Sequence, residues 1–137
     1  MTHPLTKIRQ AARDVLQPHF RHPIVLQRGG VLPNLPCVMI HINGRRSEAY
    51  GFAMVRHLVQ LAICVCVQAN AHAETTAEAM LGEIERVMAA NPTLGLPEIE
   101  LVSLNQLSME WDLNGEVDTL FYQQTFTVTY FENLENA

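Results

Sequence analysis

The chain has 137 residues, of which 48% are hydrophobic and 17% charged, and it carries a formal net charge of −5. This length and composition are those of one folded domain and exclude a disordered chain. Because there are only three cysteines, no signal-peptide pattern and no apolar run of about 18 residues, we expect a reducing compartment, no secretion and no membrane span.

The N-terminal region predicts a helix, a loop and a short strand. Apolar residues recur at helical spacing from Pro4 to Leu16, and Pro18 ends the pattern. The following loop, Gln17–Pro23, is rich in Pro, His and Arg. Ile24–Gln27 is then a short apolar run that predicts a strand, which Gly29-Gly30 stops.

The middle of the chain predicts a hairpin of unequal strands. Cys37–Ile42 alternates in the manner of a strand, and Asn43-Gly44 is a strong turn signal. The polar and aromatic stretch Arg45–Ala53 predicts an extended hairpin or a mobile loop. Met54–Gln68 is a long strand with one apolar face and one semi-polar face, and we expect the semi-polar face to be covered only in part.

The C-terminal half predicts a helix followed by a second hairpin. Apolar residues at helical spacing mark Glu74–Asn91 as the clearest helix. The hairpin then comprises a strand at Ile99–Leu113, broken near Asn105-Gln106, a turn at Asn114-Gly115, a strand at Thr119–Phe131 and a frayed tail at Glu132–Ala137.

This order of elements predicts an α+β fold in a single domain over residues 1–137. We expect a mixed, mainly antiparallel sheet of about four to five strands, packed against the N-terminal helix and one long central helix. Internal repeats, low-complexity tracts and linkers are absent from the sequence.

The sequence contains no catalytic or metal-binding pattern that would give a reason to propose an enzyme. The thiols Cys37, Cys64 and Cys66 lack the spacing of a zinc site, and His19-x-x-His22 has no acid or thiol close by in sequence. No serine stands in a nucleophile elbow and no glycine pattern fits a phosphate loop. We therefore predict no catalytic residue, no metal and no cofactor.

Two histidines and one pair of acids admit more than one interpretation. His41 and His57 lie on predicted strands and can face each other across the hairpin, either packed or at an interface. Glu110 and Asp112 share one face of a strand, where they either flank a site or keep a strand edge solvated.

A further set of residues has the character of a contact surface. Arg45, Arg46, Tyr50 and Phe52 cluster after Asn43-Gly44, and Arg and Tyr are common in interface hot spots. The alternative is a mobile hairpin whose aromatic side chains fold back on the sheet. Trp111, the single tryptophan, suits core packing and interface anchoring equally.

The succession of segments resembles a known family of phage proteins. The segments that carry the resemblance are Ile8-Arg9-Gln10-Ala11-Ala12, Leu35-Pro36-Cys37-Val38-Met39-Ile40, Ile63-Cys64-Val65-Cys66-Val67, Ala79-Met80-Leu81-Gly82-Glu83-Ile84 and Phe126-Thr127-Val128-Thr129-Tyr130. In this order they resemble the tail terminator proteins of long-tailed bacteriophages, the minor tail protein U family of lambda-like phages and prophages. The resemblance runs from about Ile8 to Tyr130 and rests on residue class and order.

The resemblance implies a structural virion protein and not an enzyme. Members of this family form hexameric rings on the last ring of tail-tube protein, stop tube growth and present a surface to head-completion proteins. It implies a place in the virion tail, and in the host cytoplasm during assembly. DNA would pass through the channel without specific binding, and no membrane is involved.

A closed ring needs two unlike surfaces on each subunit, which the uneven charge can supply. Residues 1–56 hold eight Lys and Arg against two acids, whereas residues 57–137 hold one Arg against twelve acids. The acidic half also argues against a general nucleic-acid binder. We predict that basic residues of one copy, Arg45 and Arg46 especially, meet acids of the next. The candidate interface residues are Arg45, Arg46, Tyr50, Phe52, Glu110, Trp111, Asp112, Glu116 and Asp118.

Two other functions stay open at this point. One is a head–tail connector or head-completion protein of similar size. The other is a small ligand-binding or catalytic α+β domain in which His41, His57 and the carboxylates of the C-terminal hairpin surround a pocket. A deep cavity with converging polar groups would favour the last of these, and a sheet-edge interface would favour assembly.

Overall fold

The computed structural model describes residues 2–26, 34–113 and 117–134. Helix α1 spans Pro4–Leu16 and runs into a 3-10 turn at Gln17–His19. The remaining elements are strand β1 (Ile24–Val25), strand β2 (Cys37–Ala49), strand β3 (Met54–Gln68), helix α2 (Ala73–Ala90), strand β4 (Ile99–Asp112) and strand β5 (Thr119–Asn133).

The strands form one five-stranded sheet in the order β1-β2-β3-β5-β4. The two-residue strand β1 pairs parallel with the start of β2, and every other neighbouring pair is antiparallel. The mixed, mainly antiparallel sheet with an N-terminal and a central helix confirms the predicted α+β fold. β2 and β4 are thus the long strands nearest the two sides of the sheet.

Both helices lie on the same side of the sheet and bury their apolar stripes there. α1 packs on α2 and β2, whereas α2 packs mainly on β3 and β5. Between helices and sheet lies one continuous apolar core, because alternate residues of β3 and β5 point towards the helices. Its fully buried large side chains include Ile8, Leu16, Ile40, Leu61, Ile63, Ile84, Met88 and Leu120.

The two faces of the sheet therefore differ. One is covered by α1 and α2, and we call the opposite face the helix-free face. Residues directly opposite each other in neighbouring antiparallel strands share a face. The register assigns Cys37, Cys66, Phe121 and Glu110 to the helix-free face at one end of the sheet. This face carries the semi-polar side of β3, yet its cysteines are buried.

The predicted turn at Asn43-Gly44 is wrong. β2 continues through both residues to Ala49, and the pairing with β3 shifts by one residue between Ile42 and Gly44, so that Asn43 forms a bulge. The chain instead reverses just after Ala49, where Gly51 and Ala53 have φ angles of 80° and 56°. The turn is displaced because β3 is long enough to pair with β2 beyond the bulge.

The other predicted boundaries agree closely with the structure. β4 is not broken near Asn105 as predicted, but its pairing with β5 shifts there, between Leu104 and Gln106, and also between Ile99 and Leu101. β5 extends to Asn133, so the first residues of the predicted frayed tail belong to the strand. The signals at Gly29-Gly30 and Asn114-Gly115 lie outside the described residues. Neither helix of the described ranges has the length and apolar character needed to cross a bilayer.

Candidate assembly interface

The sheet has two outer edges with long unpaired stretches. Within residues 2–26, 34–113 and 117–134, β1 pairs only with Val38 and Met39 of β2, so β2 has no outer neighbour from Ile40 to Ala49. β4 has no strand on its outer side in the same residues, although the Val102 N–H donates a hydrogen bond to the Pro92 carbonyl at 2.8 Å. Unpaired N–H and C=O groups along such an edge are a ready template for another strand.

The basic and aromatic residues predicted for an interface lie together at the tip of the β2–β3 hairpin, but they point in different directions. Arg45 lies opposite Val59 on the helix side and donates a hydrogen bond from Nη1 to the Tyr130 hydroxyl, at 3.0 Å. Arg46 lies opposite Leu58 on the helix-free face. The two arginines therefore cannot act as one patch.

The two aromatic residues of this tip also behave differently. The Tyr50 ring folds back against Phe131, with ring centroids 5.0 Å apart, and the Arg56 guanidinium lies 5.5 Å from its centre. Phe52 is 87% exposed at the turn. Tyr50 thus packs on Phe131 in part, as the alternative anticipated, but it is still 54% exposed, so both aromatic residues are available for contact.

The predicted acidic group lies at the diagonally opposite corner of the sheet. Glu110 and Asp112 end β4, opposite Phe121 and Thr119 at the start of β5, and both acids are exposed. Trp111 and Asp118 are exposed there as well. The remaining predicted residue, Glu116, lies outside the described residues. One copy of the chain therefore keeps the basic and acidic groups apart, as a contact between unlike surfaces requires.

The sequence does not predict an apolar stripe that lies exposed on β4. Leu104, Leu107, Met109 and Trp111 lie opposite the helix-side residues of β5, yet they are 61%, 49%, 53% and 41% exposed, because α2 packs mainly on β3 and β5. Contiguous exposed apolar side chains of this kind are typical of contact sites. Their apolar character was visible in the sequence, but nothing in it showed that no helix would cover them.

A polar network joins β2, β3 and β5 near the hairpin tip. His57 is 4% exposed, with Ser47 Oγ 2.7 Å from its Nδ1 and Glu132 Oε1 2.9 Å from its Nε2. The Tyr130 ring packs on the imidazole at a centroid distance of 4.7 Å. The expectation that His57 faces His41 is wrong, because His57 pairs with Ser47 and His41 pairs with Ala62, five residues further along β3.

His41 belongs to a separate basin of about 320 Å³ on the helix-free face. The basin brings His41 close to the end of β4, as the alternative of a ligand-binding domain anticipated, but without His57. The residues that line it are Met39, His41, Cys64, Ser108, Glu110, Trp111, Asp112, Phe121 and Gln123. Its acids lie on the exposed rim of the sheet, so chemically the basin suits weak contact with a polar or cationic group.

The three cysteines form a buried cluster beneath this face. Cys37 lies directly opposite Cys66, whose Sγ is 3.9 Å from the Sγ of Cys64. Hydrogen bonds to Cys37 and Cys64, together with burial, raise the pKa of the Cys66 thiol. The thiols are free, and no group of three or more His, Cys, Asp or Glu in the described part of the chain is arranged to hold a metal ion.

The segment after α1 has no acid close by in sequence, but in the folded chain an acid of α2 lies beside it. His19 Nδ1 lies 3.5 Å from Glu83 Oε1 of α2, and Arg86 also pairs with Glu83. The Arg86 guanidinium holds the pKa of Glu83 below its usual range. These contacts are exposed and fasten the loop to α2, which is the structural role that the arrangement supports.

No protein-family model matches the sequence, and no curated protein matches it. The two open edges of the sheet, with their unlike side chains, are the features that bear on function.

Proposed function

We propose that this protein is a tail terminator, which forms a ring on the end of a phage tail tube, stops tube polymerisation and provides the joining surface for the head. The observation that supports the proposal is the pair of open sheet edges on opposite sides of one subunit. The β2 edge carries Arg45 and Arg46, and the β4 edge carries an apolar stripe and the acids Glu110 and Asp112. Unlike surfaces on opposite sides are what a closed ring needs.

The apolar stripe of β4 would supply most of the affinity in such a ring. Fully burying a large apolar side chain stabilises by roughly 1.5–3 kcal/mol, and the residues of the stripe are about half exposed before contact. Exposed ion pairs add only about 0–1 kcal/mol each. The charged residues would therefore set the orientation of neighbours and the rate of their encounter.

The partners follow from the proposal and from the family resemblance. They are five further copies of this chain, which complete a ring of six, together with the tail-tube protein and a head-completion protein. Viral DNA would pass through the channel without being held, because the net charge of −5 offers it no general attraction.

The first experiment is the mass of the particle in solution over a range of protein and salt concentrations. We expect a ring-sized particle whose formation weakens as salt rises, since exposed charge pairs are screened. Purified tail tubes should then be capped and unable to elongate. A monomer at every concentration that also leaves tube growth unchanged would contradict the proposal. Binding to heads but not to tubes would favour a head–tail connector instead.

A second candidate function, hydrolysis, is favoured by one observation. Ser47, His57 and Glu132 are hydrogen-bonded in series, which is the order of a nucleophile, a base and an orienting acid. It ranks lower because Ser47 lies within a regular strand, whereas such nucleophiles stand on turns beside oxyanion-binding N–H groups. Labelling by a fluorophosphonate that disappears in Ser47→Ala would support hydrolysis, and absence of labelling would exclude it.

A further inference from the structure

The directions of the edge strands allow two copies to share one sheet. β2 is antiparallel to β3, β3 to β5 and β5 to β4, so β4 runs opposite to β2. When β4 of a second copy lies beside β2 in the same orientation of the sheet, the two strands are antiparallel. Addition of a strand to an open edge is a common mode of protein recognition.

The short strand β1 limits where such a neighbour can pair. It already occupies the outer edge of β2 at Val38 and Met39. Across the sheet, these residues are level with Met109 and Ser108 of β4. A neighbour that continued the sheet without an offset along the strands would place its Ser108 and Met109 beside Val38 and Met39, where β1 already lies. Its β4 must therefore be offset along β2, towards the tip of the β2–β3 hairpin.

Charge favours an offset that places an acid of β4 opposite Arg46, and Glu110 allows more residues to pair than Asp112, which is the last residue of the strand. Arg46 and Glu110 are both exposed on the helix-free face, and neither has an ion-pair partner among the described residues. Direct partners in an antiparallel pair share a face, so placing Arg46 opposite Glu110 of a neighbour keeps both faces continuous. The same register sets Arg45 opposite Trp111, where the indole can pack on the aliphatic part of the Arg45 side chain while the guanidinium keeps its hydrogen bond to Tyr130.

We propose that copies of this chain associate through an antiparallel pairing of Gly44–Ala49 in β2 with Leu107–Asp112 in β4 of the next copy, with Arg46 opposite Glu110. The inference rests on the proposed function and specifies its subunit joint. Leu107, Met109 and Trp111 of the apolar stripe are covered by this pairing. Pairing of β4 with β4 in a register centred on Glu110 is disfavoured, because it would bring the acids of two copies together.

Cysteine pairs test the joint in the full-length protein. Direct antiparallel partners have Cα atoms about 4.5–5.5 Å apart, which suits a disulfide. Under a mild oxidant, the double variant Arg46→Cys with Glu110→Cys should form a ladder of covalent oligomers, at least about tenfold more abundant than in either single variant. Thermal unfolding checks that each variant is folded, and the single variants control for the native cysteines.

A second pair tells the proposed register from the unshifted one. Arg46 is level with Leu101 across the sheet, so Arg46→Cys with Leu101→Cys should crosslink only if the neighbour continues the sheet without an offset. Three results would overturn the proposed joint and leave the tail-terminator proposal standing. They are a ladder from the Arg46→Cys and Leu101→Cys pair, dimers from Glu110→Cys alone, and a particle of ring mass in which the Arg46→Cys and Glu110→Cys pair forms no ladder. A monomeric, uncrosslinked protein that does not cap tubes would overturn both.

Discussion

At the scale of single residues, His57 is the most constrained polar group near the hairpin tip. It is buried on the helix side of the sheet, with hydroxyl and carboxylate oxygens from two other strands at its ring nitrogens. A buried polar ring needs such partners, since each unmade hydrogen bond costs free energy. We interpret the network as a fastening of β2 and β5 to β3 at the end of the sheet farthest from β1.

Removal of this ring should destabilise the fold. We expect His57→Ala to lower the free energy of unfolding by about 2–4 kcal/mol, because it leaves a cavity beside Tyr130 and removes two hydrogen bonds. Glu132→Gln keeps an acceptor beside the ring and should cost less than about 1 kcal/mol. Urea unfolding measures both. Equal losses in the two variants would show that charge, rather than packing and hydrogen bonding, stabilises the site.

At the scale of elements, the bulge in β2 decides which side chains reach the outer edge and on which face. Asn43 is the extra residue, and pairing resumes at Gly44 opposite Gln60. Because side chains alternate in a strand, a change of one residue in regular pairing moves every later side chain to the other face. If Asn43 took a regular partner, Arg45 and Arg46 would each move to the other face. The bulge leaves Asn43 without a partner, so Arg45 stays opposite Val59 and Arg46 opposite Leu58.

Deletion of Asn43 should therefore be tolerated. Ile42 and Gly44 then pair with Leu61 and Gln60 as before, and we expect a loss of no more than about 1 kcal/mol in the free energy of unfolding. Deletion of Arg46 is the matched control. It moves Ser47 away from His57, and it should cost at least about 2 kcal/mol. Similar losses for the two deletions would mean that Asn43 is an ordinary strand position.

The same region shows how far the sequence predicts this molecule. Helix and strand positions follow from local periodicity, and α1 and β3 were predicted at their observed bounds. The hairpin turn was not, since Asn43-Gly44 and Gly51 are both plausible turns and only the length of β3 decides between them. The contacts of His57 join residues 10 and 75 positions away, a separation that no local pattern reports.

At the scale of the whole molecule, the two helices cover the strands of the sheet unevenly. Two helices shield the middle of the sheet, whereas β4 stays exposed on both faces for most of its length. The sequence predicted the acids at the end of β4 as an interface, but the apolar stripe became visible only with the packing of α2. Whether any of these residues joins two copies stays a prediction.

Two leucines on β4 allow a matched test of its role. Leu107 and Leu101 are each 49% exposed, but only Leu107 lies within the proposed subunit joint. Neither Leu107→Ser nor Leu101→Ser should change the free energy of unfolding of the single subunit by more than about 0.5 kcal/mol. Leu107→Ser should raise the concentration needed for assembly roughly tenfold, through the loss of about 1.4 kcal/mol of contact.

Sedimentation at several protein concentrations measures this difference. Assembly that is equally weakened by both substitutions would point to general apolar association along β4. Assembly that is unaffected by either would remove β4 from the interface.

The two residues of β1 have a consequence for the form of any assembly built on this sheet. β1 covers only the first part of the β2 edge, so in the proposed joint each added subunit would be staggered along the strand direction. A sheet closes into a barrel only when its strands are staggered and inclined to the barrel axis, whereas an unstaggered sheet cannot close in this way. The two residues of β1 would then decide whether the shared sheet closes into a cylinder or stays an open ribbon.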